Sequence, residues 1–379
     1  MNVHSVEKAL ALEDYRQQFS ESAGYLDFAR IGPLSAIVAK QKIANIERMM
    51  TAGPLVLEHL DNLVDKAREA TSALLDAKTH EVAFVGSTSH GMFAAAQALS
   101  PQSGTVLVPR NDFPANTYPW LRAAERGGLA VRWIDGPVTA ESVREALDSS
   151  VKAVAVSAVD AGTGFLAPLA RIKEIIGNDR VLAVDAVQAF GAVPFDVQAA
   201  DILSAGGQKW LRAGWGAAAL LVRDRVADKL LPGLGGWSGV VDPLGPGALP
   251  HPTLPGALAH TVTNPDSIAV ASYGAAVDLV NATGLNEINA AIRGNLDLLL
   301  EAVLDAGGEI RNPSPQSGIA TFRMPGVDPA ELFARLENAG VHSTRRGDWI
   351  RLSPHATTSQ ASVEMLSESL ASLGLARSR

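Results

Sequence analysis

The stretch VLAVDAVQAFGAVPFDVQAADILSAGGQKWLRAGWGAAALLV, residues 181–222, decides the fold. Three apolar runs in it are uninterrupted rather than alternating, which is the pattern of strands buried on both faces of a parallel sheet. The first run delivers Asp185 at its carboxyl end, where open α/β sheets bind ligands. The second, Asp201–Ser204, ends in a Gly-rich turn that presents Lys209. Shelter there depresses a lysine's pKa, because desolvation disfavours the ammonium form, and a neutral amine attacks an aldehyde. An acid beside a heteroaromatic nitrogen keeps that nitrogen protonated as an electron sink, and Asp185 is the candidate.

Working outward, VAFV (82–85), TVLV (105–108), LAVRW (129–133) and AVAVS (153–157) repeat the apolar run. The segments TAESVREALDSS and LARIKEIIGND between them read as crossover helices. This alternation predicts a doubly wound α/β domain with a mostly parallel sheet. A Gly/Pro-rich stretch from Pro232 to Pro255 breaks the rhythm and reads as a long functional loop. Two helical patterns follow, 267–281 and 285–306, then short strands at Ile319–Arg323, Val341–Thr344 and Trp349–Ser353. The expected division is an N-terminal helical segment (1–24), a large domain (25–284) and a small C-terminal α/β domain (285–379). Two lobes suit a chain of 379 residues, since single cores stop growing near ~250–300 residues.

The chain carries 32 basic and 40 acidic residues for a net charge of −8, with no long single-sign run, so nucleic acid is not an expected partner. No uncharged stretch approaches the ~18–20 residues needed to span a bilayer, and the opening residues lack a signal pattern, which predicts a cytoplasmic protein without a membrane partner. The absence of cysteine excludes disulfides, thiolate metal sites and thiol nucleophiles. The eight histidines are scattered, so no metal is expected. No dinucleotide loop, P-loop or nucleophile elbow is present.

The pattern D-A-x-Q-x-x-G-x-x-P-x-D, then S-x-x-x-x-K-W-L, then G-x-G resembles the class V aminotransferases, a branch of the pyridoxal-phosphate enzymes of fold type I, over nearly the whole chain. The resemblance implies a pyridoxal 5'-phosphate cofactor held by Lys209 as a Schiff base, with a large sheet of seven-stranded type. It implies that Asp185 pairs with the pyridine nitrogen, that Gln188 approaches the ring hydroxyl, and that Ser204 and Gln208 face the phosphate. Family members usually carry His at the position of Gln208. In VAFVGSTSHGMFAAAQAL, which is similar to the family's phosphate cup, Thr88 and Ser89 are the phosphate candidates, at a helix N-terminus that favours anions.

RNDFPANTYPW is similar to the F-P-x-[DN]-x-Y segment of kynureninase-like members. It implies Phe113 stacked on the cofactor ring, with Asn116 beside the substrate. VSAVDAGTGFLAPL resembles their V-D-x-x-[TS]-G turn and brings in Asp160 and Thr163. WIRLSPHATTS resembles R-[IL]-S-P-H, whose arginine, here Arg351, clamps a substrate carboxylate through two parallel hydrogen bonds. The family often continues with an aromatic and Y-N-T, where this chain has Ala356, Thr357 and Thr358. YLDFARIGPLS offers Arg30 for a distal anionic group, and GLGGWSGVVDP offers Trp237. HTVTNPDS lies where relatives send a threonine across a dimer interface, so Thr261 or Thr263 is the candidate and a homodimer with sites at the interface is implied.

All readings share a small-molecule amino acid substrate and a lysine that takes the α-proton. They part at the next step. Aminotransfer is the first expectation, and a lyase or hydrolase acting at the substrate's β-carbon, of C–S lyase or kynureninase type, is the alternative. Cysteine desulfurase chemistry needs a thiolate to accept sulfur, which this sequence lacks.

Overall fold

The computed structural model describes residues 10–51, 53–101, 103–311 and 317–373. The first nine residues and the last six, which belong to the expected terminal segments, lie outside the described residues. The apolar runs form a seven-stranded sheet: β1 (Val82–Val85), β2 (Gly104–Pro109), β3 (Leu129–Ile134), β4 (Val151–Ser157), β5 (Val181–Asp185), β6 (Ile202–Gly206) and β7 (Ala218–Val222). Their order is β1-β7-β6-β5-β4-β2-β3, and only β7 runs antiparallel to its neighbours.

Both faces are covered, as uninterrupted apolar strands require. Ala153, Ala155, Val181 and Ala183 pack on one side against Met92, Ala95 and Leu99 of the helix Thr88–Leu99 and Trp120 of the helix Pro114–Glu125. Val154, Val156, Leu182 and Val184 face the other side, against Val64, Ala67, Ile172, Val270 and Val277 of three more helices. Gly91 lets the first of these helices lie directly on the sheet, because a Cβ there would stand 2.2 Å from Ser204 Oγ.

A second, four-stranded antiparallel sheet is formed by β8 (Glu309–Ile310), β9 (Ala320–Arg323), β10 (Thr344–Arg346) and β11 (Trp349–Leu352), in the order β10-β11-β9-β8. The middle expected strand is displaced: β10 begins at Thr344 rather than ending there. Residues 341–343 instead lie beside the opening segment, where His342 bridges Tyr25, and the Gly347 turn sets β10 opposite β11. Phe322, Ile350 and Leu352 form this sheet's core with Leu332, Leu336 and Leu366. The helix Leu285–Asp305 serves both cores, since Ile288 and Ile292 pack into the large one and Leu299 and Val303 into the small one. The opening segment does likewise: Leu26 is buried in the small core and Phe28 in the large one, with Asp27 between them.

Among the described residues, no single helix is long and apolar enough to cross a membrane; the helices Ser267–Thr283 and Leu285–Asp305 pass such a test only as a pair bent by 86°.

Candidate active site

Parallel strands in register deliver a row of polar residues along one sheet edge. Ser157 is the partner of Asp185 in β4·β5, and Asp185 is the partner of Ser204 in β5·β6. All three lie on the face covered by the helix Thr88–Leu99, because residues two apart on a strand share a face. Asp185 is 1% exposed. Its Oδ1 accepts the Val187 amide at 3.0 Å, while its Oδ2 is buried without a hydrogen-bond partner. A buried carboxylate oxygen without a donor is costly, and it marks a position where a donor belongs. Burial pushes the Asp185 carboxyl up to about 6, against the Val187 amide and the nearby Lys209 charge.

Lys209 follows β6 in a tight turn, closed by the Arg212 amide on the Lys209 carbonyl at 3.0 Å and the Ala213 amide on the Gly207 carbonyl at 2.8 Å. Burial brings its ammonium down to about 8; the Asp185 carboxylate opposes that shift, and Arg351 and Arg346 add to it. Its Nζ lies 5.3 Å from the centre of the Phe113 ring. Asp185, Lys209 and Phe113 are therefore gathered in one place. The opening turn presses onto this one: the Gly32 amide donates to the Gln208 carbonyl at 2.9 Å, and a Cβ on Gly32 would stand 2.2 Å from the Lys209 carbonyl oxygen.

Thr88 opens the helix Thr88–Leu99, but the N-cap is Ser87, whose hydroxyl accepts the His90 amide at 3.1 Å. That leaves the Thr88 and Ser89 amides in the first turn, which have no intrahelical acceptor. Thr88 Oγ1 accepts the Gly206 amide at 2.8 Å, tying the helix to the end of β6, and Ser89 is exposed. Gln208 lies at the same corner, its Oε1 2.3 Å from a Cβ built on Gly206. Ser204 Oγ is fully buried against Gly91 without a partner. Gln188 is bound at both ends of its amide, donating to the Ala29 carbonyl at 2.9 Å and accepting the Trp210 indole at 2.8 Å. One amide hydrogen remains for a ligand.

Arg351, on β11, is fully buried rather than a solvated edge residue. It donates to Asp27 Oδ1 and to the Ala161 carbonyl, each at 3.0 Å, and its Nε is buried without an acceptor. The Asp160 turn thus meets Arg351 through its backbone. The Asp160 side chain is engaged in its own turn, accepting the amides of Gly162 and Thr163 and the Thr163 hydroxyl. Asn116 is fully buried and donates to Asp112 at 2.7 Å, so it supports the Phe113 segment from behind. Arg30 is exposed on the turn that carries Asp27. Trp237 is 54% exposed, and no hydrogen bond or ring contact joins it to the Lys209 cluster among the described residues. Thr263, with Ser238 and Thr261, lines a separate cavity of about 300 Å³ beside Asp65 and Arg68. Among the described residues no group of three His, Asp or Glu stands where a metal ion would be held.

Sequence reasoning missed the residues that hold the named ones. Asp112 is half-buried and accepts the Phe113 amide and both the amide and the hydroxyl of Ser157, fastening the Phe113 segment to β4. Burial pushes its carboxyl up, against the hydrogen bonds it accepts. Asp27 accepts Thr344 at 2.8 Å as well as Arg351. Arg212 is fully buried at φ +60, a conformation unfavourable for any residue with a Cβ. It is held by the Pro33 carbonyl, Glu21 and Thr357, with its guanidinium 3.6 Å above Phe19. Thr357, where the family pattern departs, is thus a partner of Arg212 and Glu21.

A family model described as aminotransferase class-V matches residues 41–351. An uncharacterized aminotransferase, YcbU, of Bacillus subtilis is 27% identical over 300 residues, covering 76% of this chain and 78% of that protein. A probable cysteine desulfurase of Methanothermobacter thermautotrophicus is 26% identical over 380 residues, covering 91% and 93%. A kynureninase of Deinococcus radiodurans is 28% identical over 253 residues, covering 64% and 60%. Among solved structures, the apo cysteine desulfurase of Thermococcus onnurineus superposes with a TM-score of 0.83 at 19% identity, over 95% of this chain and 97% of that one. The cystine C–S lyase C-DES with cysteine persulfide gives 0.84 at 20% identity, over 92% and 97%. With the family match spanning most of the sequence and a large, mostly parallel sheet that superposes on such enzymes, the chain belongs to the class V aminotransferases, pyridoxal-phosphate enzymes that are transferases or lyases.

Proposed function

We propose that the protein is an aminotransferase that takes an amino acid through Lys209. The observation that carries this reading is the buried pair of Lys209 and Asp185 beneath Phe113, with Asp185 Oδ2 lacking a donor. That free oxygen fits a protonated pyridine nitrogen, so the site suits the cofactor. The first-turn amides of Thr88 and Ser89, with Gln208 and Ser204, would hold the phosphate, and Phe113 and Gln188 would flank the ring. When bound, the cofactor supplies an electron sink for the charge that develops at the substrate's α-carbon.

The chain's own groups do the rest. Arg351 receives the substrate carboxylate through its unfilled Nε–H, and Asp27, Thr344 and the Ala161 carbonyl fix the guanidinium plane. Lys209 Nζ, with a pKa near 8, is matched to removing the α-proton near neutral pH and returning it elsewhere. Asp185 stays ionised at neutral pH by facing a cation.

Two results follow from these groups. Arg351→Ala is expected to weaken amino acid binding by about 10- to 150-fold, the loss of a charge-assisted bond of about 1.5–3 kcal/mol. A binding titration checks this, and Arg351→Lys, which keeps a cation beside Asp27, separates lost binding from lost fold. Capture of the cofactor by the apoprotein is expected to rise about tenfold per pH unit up to about pH 8 and then level, because only the neutral Nζ reacts. Below about pH 6 the slope steepens as Asp185 takes up a proton. Stopped-flow absorbance across that range reads both limbs.

A second reading, a lyase or hydrolase at the β-carbon, is favoured by Phe113 over Lys209 and by the named kynureninase relative and C–S lyase neighbour. Supplying amino acids without a keto acid decides between them. A single conversion that stops identifies the aminotransferase, and continued release of ammonia or sulfide identifies the lyase. The desulfurase activity named for other relatives is disfavoured by the absence of cysteine from the 379 residues. A homodimer fits the exposed apolar side chains Ile43, Ile46, Met50 and Leu57 and the position of Thr263 outside the Lys209 cluster, from which it would reach a partner's phosphate.

A further inference from the structure

The face of the small sheet that carries Arg351 is more basic than binding one carboxylate requires. In the β10·β11 pair, Thr344 stands opposite Arg351 and Arg346 opposite Trp349. Opposed residues share a face and alternate residues return to it, so Thr344, Arg346, Trp349 and Arg351 project together, away from Phe322, Ile350 and Leu352 in the core. The Thr344 hydroxyl, bonded to Asp27 and Arg351, shows that this face looks into the site. Arg346 therefore stands one residue pair farther out than Arg351, on the same wall.

Arg346 and Arg30 are both exposed, and neither guanidinium has a hydrogen bond or ion pair among the described residues. Several exposed arginines elsewhere are paired, Arg110 with Asp135, Arg132 with Asp148 and Arg335 with Glu331. Two carboxylates that border this wall are already engaged, Asp27 by Arg351 and Asp160 in its own turn, and Asp348 in the β10–β11 turn makes no ion pair with Arg346 among the described residues. The charges of Arg346 and Arg30 reach Arg351, and that of Arg346 reaches Lys209. A substrate with a single carboxylate would leave both outer cations uncompensated.

We propose that the enzyme is selective for amino acids carrying a second anionic group on the side chain, such as a dicarboxylic amino acid, with Arg346 receiving that group and Arg30 flanking it. This rests on the reading in which Arg351 takes the α-carboxylate. A guanidinium binds a carboxylate through parallel charge-assisted bonds and discriminates against the isosteric amide, which offers one acceptor and no charge.

The test titrates the holoenzyme with L-glutamate and L-aspartate against L-glutamine, L-asparagine and L-alanine, reading the change in visible absorbance. Calorimetric titration with glutarate and butyrate supplies a readout free of turnover. Each acid is expected to bind about ten- to a hundredfold more tightly than its amide, and glutarate more tightly than butyrate. R346Q is expected to bring both ratios close to one, and R346K to restore part of them. Equal affinity for acid and amide, or a preference that survives in R346Q, overturns the proposal. If L-alanine binds while the acids gain nothing, the substrate class alone is wrong. If no amino acid perturbs the spectrum, the amino acid reading fails and the proposal falls with it.

Discussion

Lys209→Ala is expected to abolish turnover, with a loss on the order of 10⁶, the scale seen when a nucleophile that acts together with its base is removed. The size of the effect comes from two roles in one atom. Nζ binds the cofactor covalently and then serves as the base at the substrate's α-carbon, so its removal takes away both. The surroundings offer no substitute, since the cations nearest in influence, Arg351 and Arg346, are guanidinium groups that do not lose their protons. The variant should still fold. Lys209 Nζ makes no hydrogen bond or ion pair among the described residues, and its turn is held by backbone bonds and by Gly32. Circular dichroism together with the loss of the borohydride-reducible visible band checks both halves of this expectation.

Asp185→Asn is expected to reduce turnover by about 10²–10³, the scale of losing one preorganised charge or donor in a dry site. The replacement keeps the acceptor for the Val187 amide but offers the ring nitrogen no negative charge. Stability should move the other way. The folded-state pKa of Asp185 lies near 6, above the ordinary 3.8. The folded apoprotein therefore binds more protons than the unfolded chain between those values, and it loses stability as pH rises through them. That loss is fully present at neutral pH. Asparagine removes it, so the apo variant should be more stable than the apo wild type above about pH 6, by on the order of 2–3 kcal/mol, and equal near pH 4. Denaturant titrations at the two pH values, set beside turnover, separate this from a simple loss of fold, in which stability and activity would fall together.

The large sheet was legible because its strands are short apolar runs between turns, a signal that survives without any partner. Asp185 and Lys209 were legible for a related reason: each sits where a strand ends, and strand ends are where such sheets gather their chemistry. β10 was misplaced because Val341 and Ser343 are buried by the opening segment, so burial alone imitated a strand. Asp27, Asp112 and Thr344 went unread because their partners are far away in sequence: Arg351 is 324 residues from Asp27, and Ser157 is 45 from Asp112. A lone aspartate in a turn carries no mark of the arginine it will meet. Asn116 is placed beside the substrate by the motif, but it lies in the first turn of the helix Pro114–Glu125, fully buried, where its amide donates back to Asp112 four residues earlier. Arg212 is a further case. Nothing local announces a residue held at positive φ by a salt bridge to Glu21, 191 residues away.

The most direct measurement is the visible absorbance spectrum of the protein soaked with pyridoxal phosphate, followed by borohydride reduction and mass mapping of its peptides. The expected result is a visible band that borohydride removes, leaving the cofactor's mass on the peptide that contains Lys209. A label on any other lysine, or no band at all after soaking, would contradict the assignment of Lys209 and with it the chemistry built on Asp185 and Arg351.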